Sequence, residues 1–284
     1  MNTRMRDGRP SRTALAAATH RAAHQLLEGG RVFADPLAVR ILARDPQSVA
    51  DEARAHPERR RMRFFIAART RFAEDALAAA VAAGVGQVVI LGAGLDTLAY
   101  RAPFRDRVRL FEVDHPATQA WKRAHLARTG IAEPRTLTYA PIDFEHQTLA
   151  ASLRDAGFDA RAPAFFTWLG VVPYLTEAAV WSTLRFVAEL PGGAEIAFDY
   201  GEPPDAMPHD LRAARAARAE AVASLGEPWI ATFEPAALHE GLRRLGLTNV
   251  DDLTPRDLVA RYVSGSAGGA APDRGGHVIR AATR

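Results

Sequence analysis

Apolar positions along this chain change their period part-way through. In residues 11–28 they recur at Ala14, Leu15, Ala18, Ala22 and Leu26, the spacing of one helical face, and Gly29-Gly30 marks the stop. Asp35-Pro36 then sets a capping acid before a proline at a first helical position, so 36–43 is expected as a short helix. Residues 45–58 have no clean period and read as a loop or an irregular helix. From 59 to 84, Phe65, Ala68, Phe72, Ala76, Leu77 and Ala80 return to a helical face that Gly84 ends.

Beyond that point the pattern shifts to short β-branched runs. Residues 87–91 (Gln-Val-Val-Ile-Leu) read as a strand buried on both faces, followed at once by Gly92-Ala93-Gly94. Strands are expected at 108–113, 135–140, 164–169 and 195–200, with helices at 116–128 and 176–189 between them. Such alternation implies a mainly parallel sheet with helices on both faces, a doubly wound α/β architecture. Residues 201–233 break the rhythm with four prolines around an Arg/Ala-rich helix at 210–224, and an insertion at that point in the chain suits a cover over a ligand cleft. A helix at 235–245, a strand at 249–253, a Gly/Ala-rich loop at 264–276 and a last strand at 277–281 complete the reading.

With 284 residues, the chain suits one large core and is short for two independent enzymes. It is therefore expected as a single domain: a helical N-terminal extension (1–84), a ligand-binding core (85–200), the cover insertion (201–233) and a C-terminal part of the sheet (234–284). No run reaches the roughly 18 apolar residues of a membrane span, and the polar start is followed by no apolar stretch, so a soluble cytoplasmic protein is expected. The absence of cysteine excludes disulfides, thiolate catalysis and Cys-based metal sites. All basic residues but Lys122 are arginine, which fits a coding bias better than a nucleic-acid footprint, and no nucleic-acid partner is expected. Residues 1–80 hold 15 arginines against nine acids, a basic segment able to offer cations to an anionic ligand or simply to face water.

Candidate chemistry gathers at the strand ends. Leu91-Gly92-Ala93-Gly94-Leu95-Asp96-Thr97 is a glycine turn between a buried strand and a helix, where the backbone can approach a ligand closely. A dinucleotide fingerprint would have a third glycine where Thr97 stands, so the turn favours a cofactor with no pyrophosphate to cradle. Asp114 closes the second strand 20 residues beyond Gly94, the place of a carboxylate that accepts both ribose hydroxyls of an adenosine; capping the next helix is its plainer role. Asp143, in Pro141-Ile142-Asp143-Phe144, follows the third strand, where it can accept from an adenine amine or merely serve a turn.

Together these pieces resemble the leucine carboxyl methyltransferase family, particularly its bacterial branch of S-adenosylmethionine-dependent methyltransferases. The resemblance runs in order through Ser11-Arg-Thr-Ala14, Arg21-Ala-Ala-His-Gln25, Val32-Phe-Ala-Asp-Pro-Leu37, Arg69-Thr-Arg-Phe72, the glycine turn with Asp96-Thr97, Phe111-Glu-Val-Asp114, Pro141-Ile-Asp-Phe144, Trp168-Leu-Gly-Val-Val-Pro-Tyr-Leu-Thr176 and Gly226-Glu-Pro-Trp229. It implies the class I methyltransferase sheet of seven strands, the last antiparallel, and S-adenosyl-L-methionine as cofactor. Gly92, Ala93 and Gly94 would line its methionine and ribose, Asp114 would hold the ribose, Asp143 and Phe144 would frame the adenine, and Arg69 would pair with its carboxylate, for which a bidentate guanidinium is well shaped. Many relatives carry an acid before the glycine of the fourth-strand motif; Leu169 stands there in this chain.

The resemblance implies O-methylation of a small-molecule or peptide acceptor, and no catalytic base is assigned. A nicotinamide-dependent oxidoreductase and a non-catalytic protein of the same fold are the alternatives. His20 and His24 lie four apart on a helix, but no third ligand is evident, and no metal is expected. Phe165, Phe166 and Trp168 suit the sheet core. Tyr174 is placed either for a methyl acceptor or for structure, and Gly226-Glu-Pro-Trp229 for a lid edge or a turn.

Overall fold

The computed structural model describes residues 11–143, 146–224, 226–263 and 272–283. Seven strands form one sheet: β1 (Gln87–Leu91), β2 (Arg109–Asp114), β3 (Leu137–Pro141), β4 (Ala164–Trp168), β5 (Ala194–Gly201), β6 (Asn249–Leu253) and β7 (Gly276–Ala282). Their order is β3-β2-β1-β4-β5-β7-β6, and β7 alone runs antiparallel to its neighbours. This is the doubly wound sheet expected from the alternating pattern. The chain reverses its direction of travel beside β1, so the ends of β1 and β4 open a crevice where ligands of such sheets bind.

Helices cover both faces: α1 (Arg12–Glu28), α2 (Pro46–Ala55), α3 (Arg60–Ala82), α4 (Leu98–Arg101), α5 (Pro116–Arg128), α6 (Leu149–Asp155), α7 (Glu177–Ala188), α8 (His209–Ser224), α9 (Pro235–Arg244) and α10 (Pro255–Tyr262). Alternate residues of β1 serve the two layers. Val89 and Leu91 pack with Phe166, Trp168 and Phe198 against α6, α7 and α9, while Val88 and Ile90 pack with Phe165 and Ala197 against α1, α3 and α5. The N-terminal helices thus form one face of the layered core, and no described helix is long and apolar enough to cross a membrane.

Several expectations need correction. Residues 36–43 form a turn and a single 3-10 turn at Arg40–Leu42 instead of an α-helix. Asp35 does cap it, accepting from the Leu37 amide, but its other oxygen takes the Thr97 hydroxyl 62 residues away at 2.7 Å, and that tertiary bond sets the local path. Part of the stretch read as irregular, 45–58, is the regular helix α2, capped by Asp45 with Pro46 at its first turn. Only Val49 and Ala50 of it are buried, so it shows no apolar period. The helices α6 and α10, each started by a capping threonine, are too short to carry a period and went unread. Of the expected loop at 264–276, residues 264–271 lie outside the described residues.

The one lysine sits at the centre of this construction. Lys122, 1% exposed, reaches from α5 to place Nζ 2.9 Å from both oxygens of Glu112 and from the Asp96 carbonyl. Glu112 is fully buried in β2; burial raises its pKa and the ammonium opposes that rise. Removing one partner of a buried pair leaves the other charge uncompensated, a loss of about 3–5 kcal/mol. Lys122→Met is expected to lower the unfolding free energy by that amount in urea denaturation. A loss below about 1 kcal/mol, the worth of one ordinary hydrogen bond, would mean that the pair carries no charge.

Candidate active site

The glycine turn after β1 folds back on the end of β2. Gly92 and Ala93 donate their amides to the Val113 carbonyl, and Gly94 donates to Asp114 Oδ2 at 2.6 Å. Asp114 Oδ1 accepts from the His115 amide at 2.7 Å, while His115 itself caps α5 through Nδ1. Burial raises the Asp114 pKa, against the two amide bonds and the Lys122 charge. Asp114 therefore faces the turn instead of capping the next helix, and each of its oxygens keeps an acceptor position for a ligand donor.

Two glycines are required by what stands over them. Gly92 has φ +64°, and a Cβ there would lie 2.5 Å from Val171; Gly94 has φ +42° and a Cβ would lie 3.1 Å from the methyl of Ala14. Val171 follows β4 and Ala14 begins α1, so both elements cover the turn. The third glycine of a dinucleotide fingerprint is replaced for a visible reason. Thr97, 1% exposed, gives its hydroxyl to Asp35 and accepts from Arg101 Nε at 2.9 Å, tying the turn to the N-terminal segment. The helix that follows, α4, is a single turn.

Arg69, on α3, reaches the other side of the crevice. Its Nη1 donates to Asp199 Oδ2 at 2.8 Å, Asp199 Oδ1 accepts from the Gly170 amide at 2.5 Å, and Arg69 Nε is buried without a partner. Gly170 has φ +72°, and a Cβ there would lie 2.8 Å from Arg69 Nη2, so the guanidinium lies against bare backbone. Asp143 is half-buried beyond β3, its loop joined to β2 by the Ile142 amide on the Asp114 carbonyl. Phe144 lies outside the described residues.

Two motifs left open by the sequence join here. Tyr174 lies near the charges of Arg69 and Asp199, and burial raises its pKa. The backbone beside Trp229 is pinned to the same place, since the Ile230 amide donates to the Pro173 carbonyl at 2.6 Å and the Phe233 amide to Gly201. Asp199 is the residue that reading the sequence missed, while Glu227 stood inside the Gly226-Glu-Pro-Trp229 motif with no role of its own assigned. The available signal for Asp199 was an acid near the end of the mostly apolar strand Ala194–Gly201, whose other acid, Glu195, stands at its start.

His20 and His24 diverge. His24 is buried, accepts from the Val32 amide and bonds Glu28, whereas His20 is held neutral, its pKa lowered to about 4 by burial and by Arg63, Arg59, Arg69 and Arg218. Among the described residues no group of three or more His, Asp or Glu is arranged to hold a metal. A cavity of about 410 Å³ lies on the far edge of the sheet, lined by His239, Arg243, Asp251 and Asp252 among others. It is remote from the glycine turn, and size alone does not locate the chemistry.

These features define a class I methyltransferase-type α/β sheet with its candidate chemistry at the ends of β1, β2 and β4. The profile of the leucine carboxyl methyltransferase family matches residues 14–188, and the chain belongs to that family. A protein of Mycolicibacterium paratuberculosis, provisionally named an S-adenosyl-L-methionine-dependent methyltransferase, is 42% identical over 135 residues, which is 47% of this chain and 42% of that protein. Bacillus subtilis YktD, provisionally named in the same way, is 32% identical over 193 residues, 67% of this chain and 63% of that one. The matches thus span about half the length of these relatives. Among solved structures, a DUF574 family protein from Streptomyces avermitilis shares the fold with a TM-score of 0.55 at 17% identity, covering 94% of this chain and 97% of its own.

The start of α1, which lies against the glycine turn, is clasped to the 201–233 segment. Glu227 accepts from the Ser11 hydroxyl at 2.8 Å, the Arg12 amide at 3.1 Å, the Thr13 amide at 3.3 Å and the Thr13 hydroxyl. A carboxylate at a helix N-terminus also meets the positive end of the helix dipole. Glu227→Ala removes every one of these bonds. If local opening becomes about 1–2 kcal/mol easier, the open population rises about 5–30-fold. Limited proteolysis of the variant is expected to cut within 201–233 faster by such a factor, and an unchanged rate would show that the clasp does not hold this segment.

Proposed function

We propose that the chain is an S-adenosyl-L-methionine-dependent methyltransferase working as one cytoplasmic domain, with residues 201–233 and the start of α1 as the cover of its active site. The observation that carries this reading is the meeting of Gly92-Ala93-Gly94 with Asp114, 2.6 Å from the Gly94 amide to the carboxylate. The names of its relatives support the same cofactor. A nicotinamide cofactor is the weaker reading, because the turn lacks the third glycine and leads into a helix of one turn, too short to offer a pyrophosphate a helix dipole.

The residues fit the methyl donor group by group. Asp114 has acceptor positions for two ribose hydroxyls, the turn offers backbone without side chains, and Asp143 borders the place of the adenine. The partnerless Nε of Arg69 suits a carboxylate, which a guanidinium takes through two parallel N–H bonds. When bound, the cofactor supplies an electrophilic methyl on a sulfonium. What the chain must do is hold the acceptor oxygen in line with that methyl and keep water out, and such positioning is worth about 7–11 kcal/mol of barrier.

The acceptor in this reading is an oxygen of a small molecule or peptide, and a carboxylate suits the site better than a hydroxyl. A carboxylate is already ionised near neutral pH and needs no base. Tyr174, with its pKa raised, stays protonated and can donate a hydrogen bond but not take a proton. Arg215 on α8 lies 5.0 Å over the Trp229 ring and against Gly201, and among the described residues it is paired with no carboxylate. Its cation at the mouth of the crevice favours an anionic acceptor.

Calorimetric titration is expected to show S-adenosyl-L-homocysteine binding to the protein, and Asp114→Ala weakening it by more than about tenfold, since hydrogen bonds to a charged group are each worth about 1.5–3 kcal/mol. Equal affinity would remove the ribose assignment. Only the ionised carboxylate accepts both hydroxyls, and its pKa in the protein lies above the ordinary 3.8. Affinity therefore falls on acidification earlier than an ordinary aspartate would make it fall. That acid limb should vanish in Asp114→Asn.

A further inference from the structure

An α-amino acid carries its carboxylate and its ammonium on one carbon, so a protein that grips both must offer a cation and an anion side by side. Arg69 and Asp199 do so, with Nη1 and Oδ2 2.8 Å apart beside the bare backbone of Gly170. Parallel pairing sets Phe198 of β5 level with Trp168 of β4, and one residue further on Asp199 stands level with Leu169 on the side of the sheet that faces α3. The two side chains come from different layers, Arg69 from α3 and Asp199 from the sheet, and both are mostly buried, at 9% and 4% exposed.

Neither group is saturated. Asp199 uses one acceptor position of each oxygen, on Arg69 and on the Gly170 amide, and each oxygen has another. Arg69 gives Nη1 to Asp199 and leaves Nε buried without a partner, an arrangement that costs free energy until an acceptor arrives. The edge of the guanidinium formed by Nε and Nη2 remains for a carboxylate, while Nη1 stays on Asp199.

Building on the methyltransferase reading, we propose that Asp199 holds the α-ammonium of the cofactor's methionine and, through the same carboxylate, aims Arg69 at the neighbouring carboxylate. The two charged groups of the amino acid and the two side chains then alternate in sign around one small ring. Asp199 performs this from β5, so the hydrophobic Leu169 at the end of β4 needs no acid.

A ladder of three ligands tests this by calorimetry on the full chain: S-adenosyl-L-homocysteine, its analogue without the α-amino group, and 5′-methylthioadenosine, which lacks both charged groups. The wild-type protein is expected to bind the first at least tenfold more tightly than the second. Asp199→Asn should weaken the first more than tenfold, shrink the gap between first and second to within threefold, and leave 5′-methylthioadenosine within twofold. The last ligand also reports that the variant is folded. An undiminished gap in Asp199→Asn overturns the ammonium contact. If the variant loses all three ligands equally, Arg69→Gln decides: a persisting gap of tenfold between the first two ligands there keeps the proposal, and its disappearance removes it. Failure of every ligand to bind the wild-type protein would instead sink the methyltransferase reading itself.

Discussion

The charge buried beneath the glycine turn is the constraint on which the rest of the structure depends. Ionised groups cannot be left in an apolar core without partners, and the turn is bordered by Glu112 below and Asp35 beside it, both fully buried. Lys122 answers the first from α5; Arg21 and Arg101 lie 3.4 and 3.5 Å from the second. Each partner comes from a different helix. The same ammonium also accepts no compromise in position, since it must reach Glu112 and the Asp96 carbonyl at once. A compact ammonium with three donors satisfies this, whereas the planar fork of arginine, used at every other basic position, would not.

From this follows the role of the N-terminal helices. Arg21 donates to the Leu95 carbonyl at 2.6 Å, Thr97 bonds Asp35, and Arg101 forms a buried pair with Glu74 of α3. Those contacts fix the helices to the turn, where Ala14 then rests on Gly94. The N-terminal helices therefore lie against the glycine turn as well as forming one layer of the core. The first turn of α1 meets the 201–233 segment through Glu227, so the two are joined to each other across more than 200 residues of sequence.

Much of the sheet was legible in the sequence. The β-branched run at β1, the alternation that follows and the acid at the end of β2 all act locally, through burial on both faces and strand length. What misled was chemistry settled at a distance. Asp35-Pro36 has every local sign of a helix start, yet the carboxylate is drawn to Thr97 and the helix does not form. The reverse holds for α2, whose two buried residues give no period although its cap is orthodox. Arg69 and Asp114 were found by their positions in motifs, and Glu227 lay within one, whereas Asp199 had no motif to announce it.

The sequence by itself determined the layered α/β class, the parallel order implied by alternating elements, and the glycine turn with its acid, because each of these follows from periods and spacings within some 30 residues. Only the tertiary structure decided which polar groups meet: Arg69 with Asp199 across 130 residues, and Ser11 and Thr13 with Glu227. The physical reason is that pairing of buried polar groups depends on distances of about 3 Å between layers. Those distances are products of packing the whole core, and no stretch of chain encodes them alone.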